Sequence, residues 1–124
     1  MGWPPKVGEL LPRAAQATGV REKLLGYSLD VDHRLGGPKA RGFERILGIS
    51  ISDVEYLAGA IESAILQVTI GEVRDNAPYG VICVVPILVR GLGSRSDRVA
   101  TVATAWELTS DRAAPRLVTA YISD

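Results

Sequence analysis

The chain has 124 residues, 47% of them hydrophobic and 23% charged, and its 14 basic side chains balance 14 acidic ones. That length supports one domain with a real core, the composition excludes a disordered or fibrous chain, and no apolar run approaches the roughly 18–20 residues needed to span a bilayer. A net charge near zero excludes attraction to nucleic acid through overall charge, so any such binding must rest on local clusters. One cysteine, Cys83, leaves no internal disulfide and no cysteine-based zinc site.

Residues 1–20, rich in Pro and Gly, read as an extended N-terminal arm with at most a short helix around Glu9–Ala17, because Pro12 is tolerated only in a first turn. The opening Met1-Gly2-Trp3-Pro4-Pro5 lacks the basic and apolar regions of a signal peptide, and a cytoplasmic protein is expected. Residues 21–124 form the predicted domain. "REKLLGYS" predicts a short helix over 21–28. "PKARGFERILG" predicts a stronger one over 38–48: Pro38 suits the first turn, Ala40, Phe43, Ile46 and Leu47 share one face, and Gly48 supplies the stop.

"SDVEYLAGAIESAIL" then predicts the best helix of the chain, with Ser52 and Glu55 as a capping box and Val54, Leu57, Ala58, Ile61, Ala64 and Ile65 as its apolar stripe. Beyond it the period changes. "QVTIGEV", "YGVICVVPILV", "RVATVATAWEL" and "RLVTAYIS" are rich in Val, Ile and Thr and are separated by the turn-like "RDNAP", "RGLGSRSD" and "TSDRAAP". Four strands with short connections make an antiparallel meander. The predicted fold is therefore α+β, with N-terminal helices packed on a four-stranded antiparallel sheet.

Chemistry concentrates in two places. By alternation along the last strand, Val118, Ala120 and Ile122 form a core face, while Leu117, Thr119 and Tyr121 face the other way and present two hydroxyls; good strand formers on a solvated face are the plainer reading. His33, the only histidine, stands beside Asp30 and Asp32 and six residues before Lys39. It is either a surface or capping group or a catalyst. The two aspartates and the histidine lack a compelling metal-ligand geometry, so neither metal nor cofactor is expected. Gly36-Gly37 lacks P-loop spacing but frees the backbone before a helix start that would favour an anion near Lys39. No nucleophile elbow, Cys/His pair or dinucleotide fingerprint is present.

As a set, "DHRLGGPKARGFERILGIS", read as His-x-x-Gly-x-x-Lys-Ala-x-x-Phe-x-x-x-Leu-Gly, with "YG", "VATVATAWEL" and "PRLVTAYIS", resembles a family of small bacterial domains found alone and at the C-terminal ends of polymorphic toxins. Those domains are similar to the superfamily that groups barnase, the EndoU nucleases, colicin ribonucleases and the RelE toxins. The resemblance covers roughly residues 21–48 and 79–122. It implies a metal-independent ribonuclease with His33, Lys39, Trp106, Thr119 and Tyr121 at the marked positions and Arg116 as the basic residue of "PRL".

Cleavage through the 2′-hydroxyl to a 2′,3′-cyclic phosphate needs a base, an acid and fixed positive charge. The expected roles are His33 as base, Lys39 and Arg116 on the phosphorane, Thr119 and Tyr121 as donors to phosphate oxygens, and Tyr121 or Lys39 as acid. Trp106 either stacks a base or sits in the core. The implied partners are RNA and a cognate antitoxin or immunity protein, with no membrane. Two alternatives stand beside this reading: a non-catalytic module of the same fold that binds a partner protein, and an enzyme acting on another phosphate ester or nucleotide with the same groups.

Overall fold

In a computed structural model, which describes residues 2–123, helices and sheet follow one another as the change of period predicts. Helix α1 (Val20–Lys23) widens into a π-helical turn over Leu24–Ser28, and α2 (Gly37–Gly42) does the same over Phe43–Leu47 before Gly48 stops it at φ 65°. A left-handed residue is cheapest as glycine, which is why Leu-Gly closes this helix. Helix α3 spans Val54–Ala64 and is entered through a 3-10 turn over Ile51–Asp53.

The capping box lies two residues earlier than expected. Ser50 and Asp53 form it, with the Asp53 carboxylate accepting the Ser50 backbone N–H at 2.9 Å. Glu55 instead holds Arg21, accepting from it at 2.9 Å, and Glu62 accepts from the same guanidinium at 2.9 Å. One arginine on α1 thus ties together two turns of α3.

The sheet is an antiparallel meander in the order β1-β2-β3-β4, with β1 Glu72–Asp75, β2 Val81–Arg90, β3 Val99–Leu108 and β4 Arg116–Ile122. The first strand is shorter and later than "QVTIGEV" predicts, because Thr69 bridges to Leu10 instead of pairing with β2. One sheet face is covered by helices: Leu24, Phe43, Leu47, Leu57 and Ile61 pack with Cys83, Val85, Ile87, Val102, Trp106 and Leu117 in a single core. Burial pushes the Cys83 thiol up to about 11, which keeps it an inert core residue.

Residues 2–20 lie against this body. Leu11 is buried, Gly8 donates to the Ile70 carbonyl at 2.9 Å, and Leu117 donates to the Thr18 carbonyl at 3.0 Å. The Thr18 contact, with the Ser28 hydroxyl accepting the Ala120 N–H at 3.3 Å, covers the outer edge of β4. A sheet edge left open invites pairing with another chain.

A bulge corrects the reading of the last strand. Ala105 faces Thr119 but Trp106 faces Leu117, so Val118 is the extra residue. An extra residue reverses the alternation on one side of it. Leu117 therefore turns into the core with Ala120 and Ile122, and Thr119 and Tyr121 are left on the opposite face.

Candidate functional site

The site forms where the N-terminal helices reach the edge strand. The π turn over Leu24–Ser28 buries Leu24 and Ser28 and brings Tyr27 beside β4. In α2, Ala40, Phe43 and Leu47 are committed to the core. Lys39, one position from Ala40, is left half-buried on the flank that meets β4.

The Lys39 ammonium donates to Tyr27 Oη at 2.6 Å and to Thr119 Oγ1 at 2.9 Å. Its Nζ also lies 5.6 Å from the centre of the Tyr121 ring. Two chain segments, the π turn and β4, thus converge on one cation of α2. Among the described residues this ammonium enters no ion pair, whereas Arg21, Arg74 and Arg116 each hold a carboxylate. An ammonium has three donors, and two are used. The third has no hydrogen-bond partner among the described residues.

Tyr121 packs over Val84, Ala103 and Ala105, the small side chains of the sheet face away from the core. On the same sheet, Arg74 is paired with Glu72 at 2.6 Å and also faces the Tyr121 hydroxyl; these contacts, Glu72 foremost, raise its pKa above the usual arginine range. Arg116 donates to Glu107 at 2.7 Å. It lies on the site's strand, but its charge is already matched.

His33 is placed differently from the role expected of it. Its Nδ1 accepts the backbone N–H groups of Leu35 and Gly36, both at 3.0 Å. With Nδ1 used as an acceptor, the neutral ring carries its proton on Nε2, a tautomer inferred from these two bonds. Such a ring has no free lone pair for the 2′-hydroxyl proton. A second proton on Nδ1 would point at two N–H donors. In this arrangement His33 caps the turn into α2, and its Nδ1 is occupied by that cap rather than presented to a ligand. Its ring also packs edge-on against Tyr27, with centroids 4.8 Å apart.

The two glycines serve the same turn. A Cβ on Gly36 would stand 2.0 Å from the Tyr27 carbonyl oxygen, and one on Gly37 would stand 2.8 Å from that of Val31. Close backbone packing explains both glycines. Asp30 Oδ1 accepts the Asp32 N–H at 3.0 Å, a local turn contact. Among the described residues no three His, Cys, Asp or Glu side chains are grouped to hold a metal.

Trp106 takes its core alternative and cannot stack a base. It is fully buried, and its indole N–H donates at 2.9 Å to Thr104 Oγ1, which in turn donates to the Val85 carbonyl at 2.7 Å. Of the six residues expected at the site, the structure joins Lys39, Thr119 and Tyr121 directly. It attaches His33 through Tyr27, leaves Arg116 paired nearby, and removes Trp106. Tyr27 is the member of this cluster that sequence reasoning missed, since nothing in "LLGYS" marks it before the two helices pack.

The chain belongs to a family described as a domain of unknown function, DUF6883, whose model matches residues 10–124. No curated protein and no solved structure matches it.

Proposed function

We propose that the domain is a metal-independent endoribonuclease that cleaves RNA through the 2′-hydroxyl, with Lys39 rather than His33 at the centre of its site. The observation that carries this reading is the half-buried Lys39 ammonium, which enters no ion pair among the described residues and is held between Tyr27 Oη and Thr119 Oγ1 beside Tyr121. A fixed cation whose orientation is set before the reaction stabilises the charge that develops on a phosphorane.

In the proposed reaction the 2′-oxygen attacks phosphorus and the bond to the 5′-oxygen breaks. With His33 committed to its cap, the 2′-hydroxyl proton leaves to solvent. Tyr27 accepts a hydrogen bond from Lys39, and its own O–H, which donates to no other group among the described residues, protonates the departing 5′-oxygen. Lys39 returns that proton and is itself reprotonated from water. Thr119 orients the phosphate oxygens, and the Tyr121 ring borders the site. A protein without net charge can still hold RNA here, because Lys23, 5.9 Å from the Tyr27 ring centre, adds a second cation to the same rim.

Incubation with total RNA and with single-stranded DNA in EDTA, followed by end-group analysis, tests the proposal. The expected result is fragments ending in cyclic phosphate from RNA alone. The capped state of His33 favours a second reading, a non-catalytic module that binds a phosphate-bearing partner. Intact RNA at every enzyme concentration would replace the first reading with the second.

A further inference from the structure

Lys39 and Tyr121 also line an open pocket of about 350 Å³ between α2 and the end of β4, together with Pro38, Gly42, Arg45 and Ile46. Its chemistry is mixed in an informative way. Lys39 and Arg45 are cationic, and among the described residues no acidic side chain lines it and neither cation enters an ion pair. The remaining surface is an aromatic ring and aliphatic side chains.

Gly42 supplies an independent observation. Its backbone is regular helix, φ −62° and ψ −47°, and a Cβ there would meet nothing within 4 Å. Neither conformation nor packing requires glycine at this position. A longer side chain at residue 42 would occupy the pocket, so glycine keeps it open.

We infer that this pocket seats one nucleotide of the RNA, its base against the Tyr121 ring, Pro38 and Ile46, and its phosphate between Lys39 and Arg45. The inference rests on the proposed ribonuclease reading, from which it takes its RNA and with which it shares Lys39. Planar bases stack on aromatic faces whatever their sequence, and a guanidinium matches the oxygens of a phosphate. The occupant is thus a nucleoside monophosphate unit rather than a free anion.

The test titrates the four nucleoside 3′-monophosphates, adenosine and inorganic phosphate separately into the full chain by calorimetry, using wild type, Arg45→Ala and Gly42→Leu. At least one monophosphate should bind roughly tenfold or more tighter than adenosine or phosphate. Gly42→Leu should abolish that binding without lowering Tm, since leucine is the better helix former, and Arg45→Ala should weaken it roughly tenfold. Failure of all four nucleotides to bind, binding as tight by phosphate alone, or unchanged binding in Gly42→Leu would overturn the inference. RNA left intact by a wild type whose nucleotide binding is lost in Gly42→Leu would sink the nuclease reading and keep the pocket. RNA cut equally well, at unchanged KM, by wild type and Gly42→Leu would keep the nuclease and remove the pocket.

Discussion

His33 shows how a residue type suggests a role that its surroundings then decide. The spacing His33-x-x-Gly36-x-x-Lys39 is visible in the sequence, but which ring nitrogen is occupied depends on how the turn closes. The cap makes a sharp prediction. An asparagine in place of the histidine would present an amide oxygen close to where Nδ1 lies. His33→Asn should therefore keep fold and cleavage within a few-fold of wild type, as conservative replacement of a cap does, whereas His33→Ala should lose both Tm and rate. A His33→Asn enzyme that is folded but slowed by two or more orders of magnitude would restore proton transfer to the histidine. Thr104 makes a second prediction at this scale. Thr104→Val keeps the shape but leaves the buried Trp106 indole N–H without its acceptor, and should cost about 1–3 kcal/mol by denaturant unfolding.

Secondary structure was legible where periodicity is long and obscure where one residue breaks it. The α3 stripe and the three longer strands follow from spacing alone. The bulge at Val118 does not, because nothing in "PRLVTAYIS" signals an extra residue, and it moves Leu117 to the other face. The π turns are equally silent in sequence, yet one of them brings Tyr27 to Lys39. The capping box shifted because Ser50–Asp53 and Ser52–Glu55 both satisfy the local pattern, and Arg21, from another helix, claimed Glu55. Gly59 gives the prediction for elements. It is exposed in α3, with open space where a Cβ would go, so Gly59→Ala should stabilise the fold by about 0.5–1 kcal/mol in chemical denaturation.

Over the whole molecule, the α+β architecture was legible because the helical and strand periods occupy separate halves of the chain. The site was only half legible, since Lys39, Thr119 and Tyr121 carry recognisable chemistry while Tyr27 enters through packing. Among the described residues no helix is long and apolar enough to cross a membrane. The helical layer is joined at its surface by Arg21, whose guanidinium, chiefly through its hydrogen bond, holds the Glu55 carboxyl below the usual carboxylate range. A lowered folded-state value means stability present above the unfolded-state value and lost as pH falls through the folded one. Arg21→Met should therefore flatten the acid side of the stability profile, and the effect should be small because the pair is exposed.

The single-turnover rate of RNA cleavage by wild type and by Lys39→Met, with Tm measured on both, bears on the whole reading. A loss of about 10²–10³-fold at similar Tm is the expected result for removing one preorganised charge-stabilising group. Equal rates in the two folded proteins would show that the cation between Tyr27 and Thr119 is not where the chemistry happens.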